Sequence, residues 1–166
     1  MDALHRARRM FRRFAGRYGA ALQREGESWG PFSIPSARTD DVDAIATNDT
    51  GDLLQVQLTQ VEEEAVLRTL GLHRQASLQR SAEKLAAAIQ AAVDSKSDPS
   101  PQRRKGIPPA QRPNLLLALD ATHSPGYVDD AVVARFLADH GTWAAGLGFK
   151  AIWLVGLTAE RTRRLC

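Results

Sequence analysis

Two apolar runs in the C-terminal half constrain this chain most. Asn114 to Ala121 reads NLLLALDA, and Ala151 to Leu157 reads AIWLVGL. A strand with one wet face alternates apolar and polar residues, so runs this continuous require cover on both faces. Between them, Val128 to about Leu147 has helical character, with Val132, Val133, Phe136, Leu137 and Trp143 available for packing. Strand, helix, strand implies a parallel pair joined by a right-handed crossover. The chain is therefore expected to be an α/β protein.

Size and charge narrow the setting. A chain of 166 residues, 43% hydrophobic and 25% charged, is expected to form one domain over 1–166 with a single core. Its only cysteine is Cys166, which excludes an internal disulfide framework and a cysteine-based zinc site within one chain. No apolar run approaches the roughly 20 residues that span a bilayer, and nothing resembles a signal-peptide core, so no membrane is expected and the cytoplasm is the expected compartment. The net charge of +3 is compatible with a polyanionic partner without requiring one.

The N-terminal part predicts a helix over 3–25, with Leu4, Ala7, Phe11, Phe14, Tyr18 and Leu22 as one apolar stripe. Arg6, Arg8, Arg9, Arg12, Arg13 and Arg17 occupy much of the remaining surface. Such a face lies against nucleic-acid backbone, releasing counterions, is simply solvated, or belongs to a membrane-surface or organelle-targeting amphipathic helix. Residues 28–40 read as a loop, with Trp29, Gly30, Pro31 and Pro35. A second helix is expected from Ser77 to about Ser95, on the stripe Leu78, Ala82, Leu85, Ile89 and Val93. Residues 97–113, SDPSPQRRKGIPPAQRP, have the composition of a flexible surface loop. Its Arg103, Arg104 and Lys105 are a second candidate contact for nucleic acid. Asp120 and His123, just past the first apolar run, stand where α/β folds often place ligand-contacting groups. The closing Thr158 to Cys166 reads as a short basic helix or tail.

Functional chemistry concentrates in Val42 to Val61, VDAIATNDTGDLLQVQLTQV, which predicts a β-hairpin. Its second strand sets Leu54, Val56 and Leu58 on one face and Gln55, Gln57 and Thr59 on the other. Register decides where Asp43 falls. A three-residue loop at Asn48 to Thr50 sets it opposite Gln55. One at Asp49 to Gly51, with Gly51 supplying φ > 0, sets it opposite Gln57. A two-residue loop sends it to the other face.

An acid on one hairpin strand, then a turn, then a polar-x-polar triplet inside an apolar strand resembles the PD-(D/E)XK phosphodiesterase superfamily, which includes many restriction and repair nucleases. Here the acid is Asp43 and the triplet is Gln55-Val56-Gln57. Val42 replaces the usual proline, and both the usual acid and the usual lysine are glutamine. The resemblance implies a restriction endonuclease-like, three-layer core in which helices flank a mixed sheet, antiparallel at the hairpin and parallel beyond. It implies Mg²⁺ or Mn²⁺ held by Asp43, by the Gln55 side-chain oxygen and by the Val56 backbone carbonyl, with Gln57 orienting water or phosphate and another acid supplied by Glu25, Glu27 or Asp41. The metal would polarise the phosphate and acidify a bound water. Nucleic acid is the implied partner, DNA before RNA, and a homodimer is compatible.

Three functions follow as expectations: a metal-dependent nuclease, a nuclease-like domain that binds nucleic acid without cutting it, and a protein-interaction domain without nucleic-acid binding. Phosphate-loop, dinucleotide, nucleophile-elbow and zincin motifs are absent from the sequence. Gly146 to Lys150 is read as the end of the preceding helix.

Overall fold

The structure, a computed structural model, describes residues 15–21, 29–35, 42–61, 82–97, 106–121, 125–158 and 160–166. Within them lies a five-stranded mixed sheet in the order β1-β2-β3-β4-β5. The strands are β1 Ala44–Thr47, β2 Leu53–Gln60, β3 Leu115–Asp120, β4 Ala151–Val155 and β5 Arg163–Arg164. The outer pairs, β1 with β2 and β4 with β5, are antiparallel, and the inner pairs are parallel. Helix α1 covers residues 15–21, α2 is Ala82–Ser97 and α3 is Asp130–Gly146.

The two apolar runs are the two central parallel strands, and side-chain alternation divides them between opposite layers. Leu117, Leu119, Ile152 and Leu154 join a cluster with Leu85, Ile89 and Val93 of α2 and Val132 and Phe136 of α3. Leu116, Ala118, Trp153 and Val155 join another with Leu54, Val56 and Leu58 of β2 and with Tyr18 and Ala21 of α1. The Tyr18 ring meets the Trp153 ring edge-on at 5.0 Å, the arrangement favoured by the ring quadrupoles. Two crossovers of one hand that step across a sheet in one direction leave their helices on one face. Accordingly α2 and α3 share a layer, while α1 covers the other side.

Each helix follows from its sequence. In α2 the stripe Leu85, Ile89 and Val93 is buried, and the small side chains of Ala86 and Ala92 allow close approach to the core. It runs to Ser97, two residues beyond the expected end, and residues 77–81 lie outside those described. Helix α3 is left at Gly148, whose φ of 85° is the left-handed conformation that glycine adopts without penalty. Of the long N-terminal helix expected over 3–25, the described part is α1.

Two expectations are corrected. Arg163 and Arg164 do not continue a basic helix or tail: they form β5, pairing with Leu154 and Trp153. A two-residue strand has no periodicity to read, and it exists because the edge of β4 needs partners. In the proline-rich stretch, Pro109–Asn114 form a 3₁₀ helix, and Ile107 and Arg112 are buried. Composition alone suggested a solvated loop there. Residues 98–105, including Arg103, Arg104 and Lys105, lie outside those described.

Candidate functional site

The hairpin turn is built by Asn48. Its side-chain oxygen accepts the N–H groups of Thr50 and Asp52 at 3.1 and 2.8 Å, an Asx-type arrangement that fixes the reversal locally. Gly51, with φ 85°, completes a three-residue loop at Asp49 to Gly51. Asn48 Nδ2 and Thr50 Oγ1 both reach Asp52 Oδ2, at 2.9 and 2.8 Å. These bonds favour the charged carboxylate and hold the Asp52 pKa below its ordinary value, with the nearby charge of Lys150 assisting.

That loop fixes the register. Ala44 pairs with Val56, Ile45 with Gln55 and Ala46 with Leu54, a register that would set Asp43 opposite Gln57 if the ladder ran one residue further. Of the three registers open to the sequence, this is the one with Gly51 in the loop. The main-chain ladder stops there, because the Asp43 N–H turns to the Val56 carbonyl at 2.8 Å. Strand β2 outruns β1, leaving the Leu58 N–H without a main-chain acceptor on that side. The Asp43 carboxylate takes its place: Oδ2 accepts the Leu58 N–H at 2.8 Å and Gln57 Nε2 at 2.9 Å.

Gln57 is drawn into this bond network and is only 6% exposed. Its amide nitrogen also lies 3.3 Å from the Leu58 carbonyl. Both neighbours are acceptors, so the nitrogen must be the atom that faces them. The amide oxygen then points away, buried and with no hydrogen-bond partner among the described residues. Gln57 shares its face with Leu117, its neighbour in β3. The face carrying the two glutamines was expected to be the polar one, but β2 is an inner strand covered on both sides, and at Gln57 that face is buried.

The other expected residues separate into two groups. Gln55 is half-buried on the face of Gln57 and pairs with Ile45, and the Val56 carbonyl is occupied by the Asp43 N–H. Asp120 ends β3, beside Gln60 and Val155. Arg12, Arg13, Glu25, Glu27, Asp41 and His123 lie outside the described residues. Among the described residues, no three His, Cys, Asp or Glu side chains gather as a metal would need. Also among them, no helix is long and apolar enough to cross a membrane. The Leu58 N–H was not in the expected set, and the signal for it is the greater length of β2 over β1.

Chemically, the arrangement is a carboxylate with one oxygen anchored by two N–H groups at the end of a hairpin, next to an amide whose own oxygen is unmatched among the described residues. It can hold a fixed negative charge at the C-terminal end of β2. Gln57 brings no positive charge and is no base at neutral pH. No family model, no curated protein and no solved structure matches the chain.

Proposed function

We propose that this is a nuclease-like domain of the PD-(D/E)XK kind that engages nucleic acid, and that it binds the backbone without cutting it. One observation carries the choice: Asp43 Oδ2 is committed to the Leu58 N–H and to Gln57. Both N–H bonds direct that oxygen into the hairpin, so a hard cation such as Mg²⁺ would have to be met through Oδ1. Gln57, at the position where the resembled family carries lysine, is turned with its donor toward the acid. Affinity would then come from arginines meeting phosphates, as the N-terminal sequence suggests.

The cleaving alternative rests on the resemblance itself, an acid and a polar-x-polar triplet that meet at the hairpin end, and it needs a further acid beside Asp43. It would take Mg²⁺ or Mn²⁺ on Asp43, with Gln55 as a neutral oxygen ligand. The two readings separate in one set of assays on labelled duplex and single-stranded DNA and RNA. Binding is expected to weaken steeply with salt, to persist in EDTA, and to lose about two from its log–log salt slope in the Arg12→Ala, Arg13→Ala double variant. Mn²⁺-dependent cleavage that disappears in Asp43→Ala would establish the alternative instead. No binding at low salt removes both.

A further inference from the structure

Arg112 is 6% exposed and has no carboxylate partner among the described residues. Its guanidinium instead collects main-chain carbonyls from three separate segments. Nε donates to Ile107 at 2.9 Å, Nη1 to Leu147 at 3.0 Å and Nη2 to Ser97 at 2.5 Å. Ser97 is the last residue of α2, and Leu147 is the C-cap of α3. Helix C-termini leave carbonyls without intrahelical donors and carry the negative end of the macrodipole, so both suit a cation. The Phe149 ring lies 5.4 Å from the guanidinium carbon, and the Arg112 carbonyl accepts the Lys150 N–H at 3.0 Å. The Ile107 N–H, in turn, bonds the Lys96 carbonyl at 2.7 Å.

We propose that Arg112 is a latch that joins the C-terminal ends of α2 and α3 and the 106–114 segment into one opening unit, which releases as a whole while the sheet stays closed. The reason lies in the fixed fork of the guanidinium. Fraying of one helix end alone would leave a buried charged donor unmet. Opening all three together returns the whole group to water and removes that penalty. Burial lowers the guanidinium's pKa, yet arginine stays protonated, so pH does not work the latch. This inference is independent of the nucleic-acid reading.

Native-state hydrogen exchange on the full chain, followed through low denaturant, tests it. The reporters are the amides of Ile107, Gln111 and Leu147, and the references are those of Leu117 and Leu119. In the unaltered protein the three reporters should converge on one protection factor and one denaturant slope, below the references. Three unrelated slopes would overturn the proposal, as would reporters that open only with the sheet. In Arg112→Lys the reporters should lose at least tenfold more protection than the references, all together. Acceleration of a single reporter, or equal acceleration throughout, counts against the latch. If Arg112→Lys does not fold, the convergence seen in the unaltered chain decides by itself.

Discussion

Asp43 joins local geometry to any chemistry the site performs. Because its Oδ2 replaces a main-chain acceptor for Leu58, Asp43→Ala leaves two donors unmet and should cost about 1–3 kcal/mol in urea denaturation. Asp43→Asn keeps one acceptor oxygen and should cost less. At Gln57 the balance differs: Gln57→Leu removes a donor together with a buried oxygen that has no partner among the described residues. A change within about 1 kcal/mol is expected, since deleting an unmatched polar group offsets the lost bond. A loss of several kcal/mol would mean that the oxygen is occupied in solution. Asp52 gives a pH signature. Its folded pKa lies below the unfolded value, so its stabilisation of the turn is complete above the unfolded pKa and lost as pH falls through the folded one. Carbon-detected NMR of the Asp52 carboxyl should show that depressed midpoint, and Asn48→Ala should raise it. The hairpin was legible, but the choice among its three registers was not, because it rests on the bonds that the Asn48 side chain makes across the turn. Nor was the burial of Gln57, because alternation reveals which side chains share a face and says nothing of what covers it.

Turns and caps can be tested one substitution at a time. Gly51→Ala places a Cβ on a left-handed residue, which should cost about 1–2 kcal/mol in thermal or denaturant unfolding, with no clash to relieve. Gly156 is held differently: a Cβ there would overlap the Arg161 carbonyl, so Gly156→Ala should destabilise by about 1–3 kcal/mol through a backbone shift in the turn that leads to β5. Helix α2 and the central strands were readable because their apolar spacing is long and regular. Strand β5 was not, because Arg163 and Arg164 carry no apolar pattern and become a strand through pairing with β4. Ion pairs of Arg161 with Asp129 and of Arg163 with Asp130 tie the same segment to the start of α3. Proline and charge likewise concealed Arg112, two of whose three acceptors, the Ser97 and Leu147 carbonyls, belong to helix ends in other parts of the chain.

On the scale of the molecule, the α/β class was contained in two apolar runs and the helix between them, since a sheet buried on both faces admits few other solutions. The layer formed by α2 and α3 is centred on Phe136, which is fully buried. Phe136→Ala should therefore cost about 3–5 kcal/mol, read as a shift of the whole denaturation curve. Function is less legible than fold, because a fold accepts many sites and the hairpin carries glutamine at both positions where the family it resembles has charged residues. The sheet order also affects how the molecule is made. Strand β2 meets β1 within one hairpin, but its other neighbour, β3, is translated only after α2 and the proline-rich segment. An isolated hairpin is marginal in water, so the nascent ribbon waits with its Gln57 face uncovered and one row of main-chain groups bare. Closing that long gap is slow, and refolding should be limited by the arrival of Leu115–Asp120. Until then the aspartate and its glutamine sit on a wet, unsupported ribbon, vulnerable to pairing with another copy.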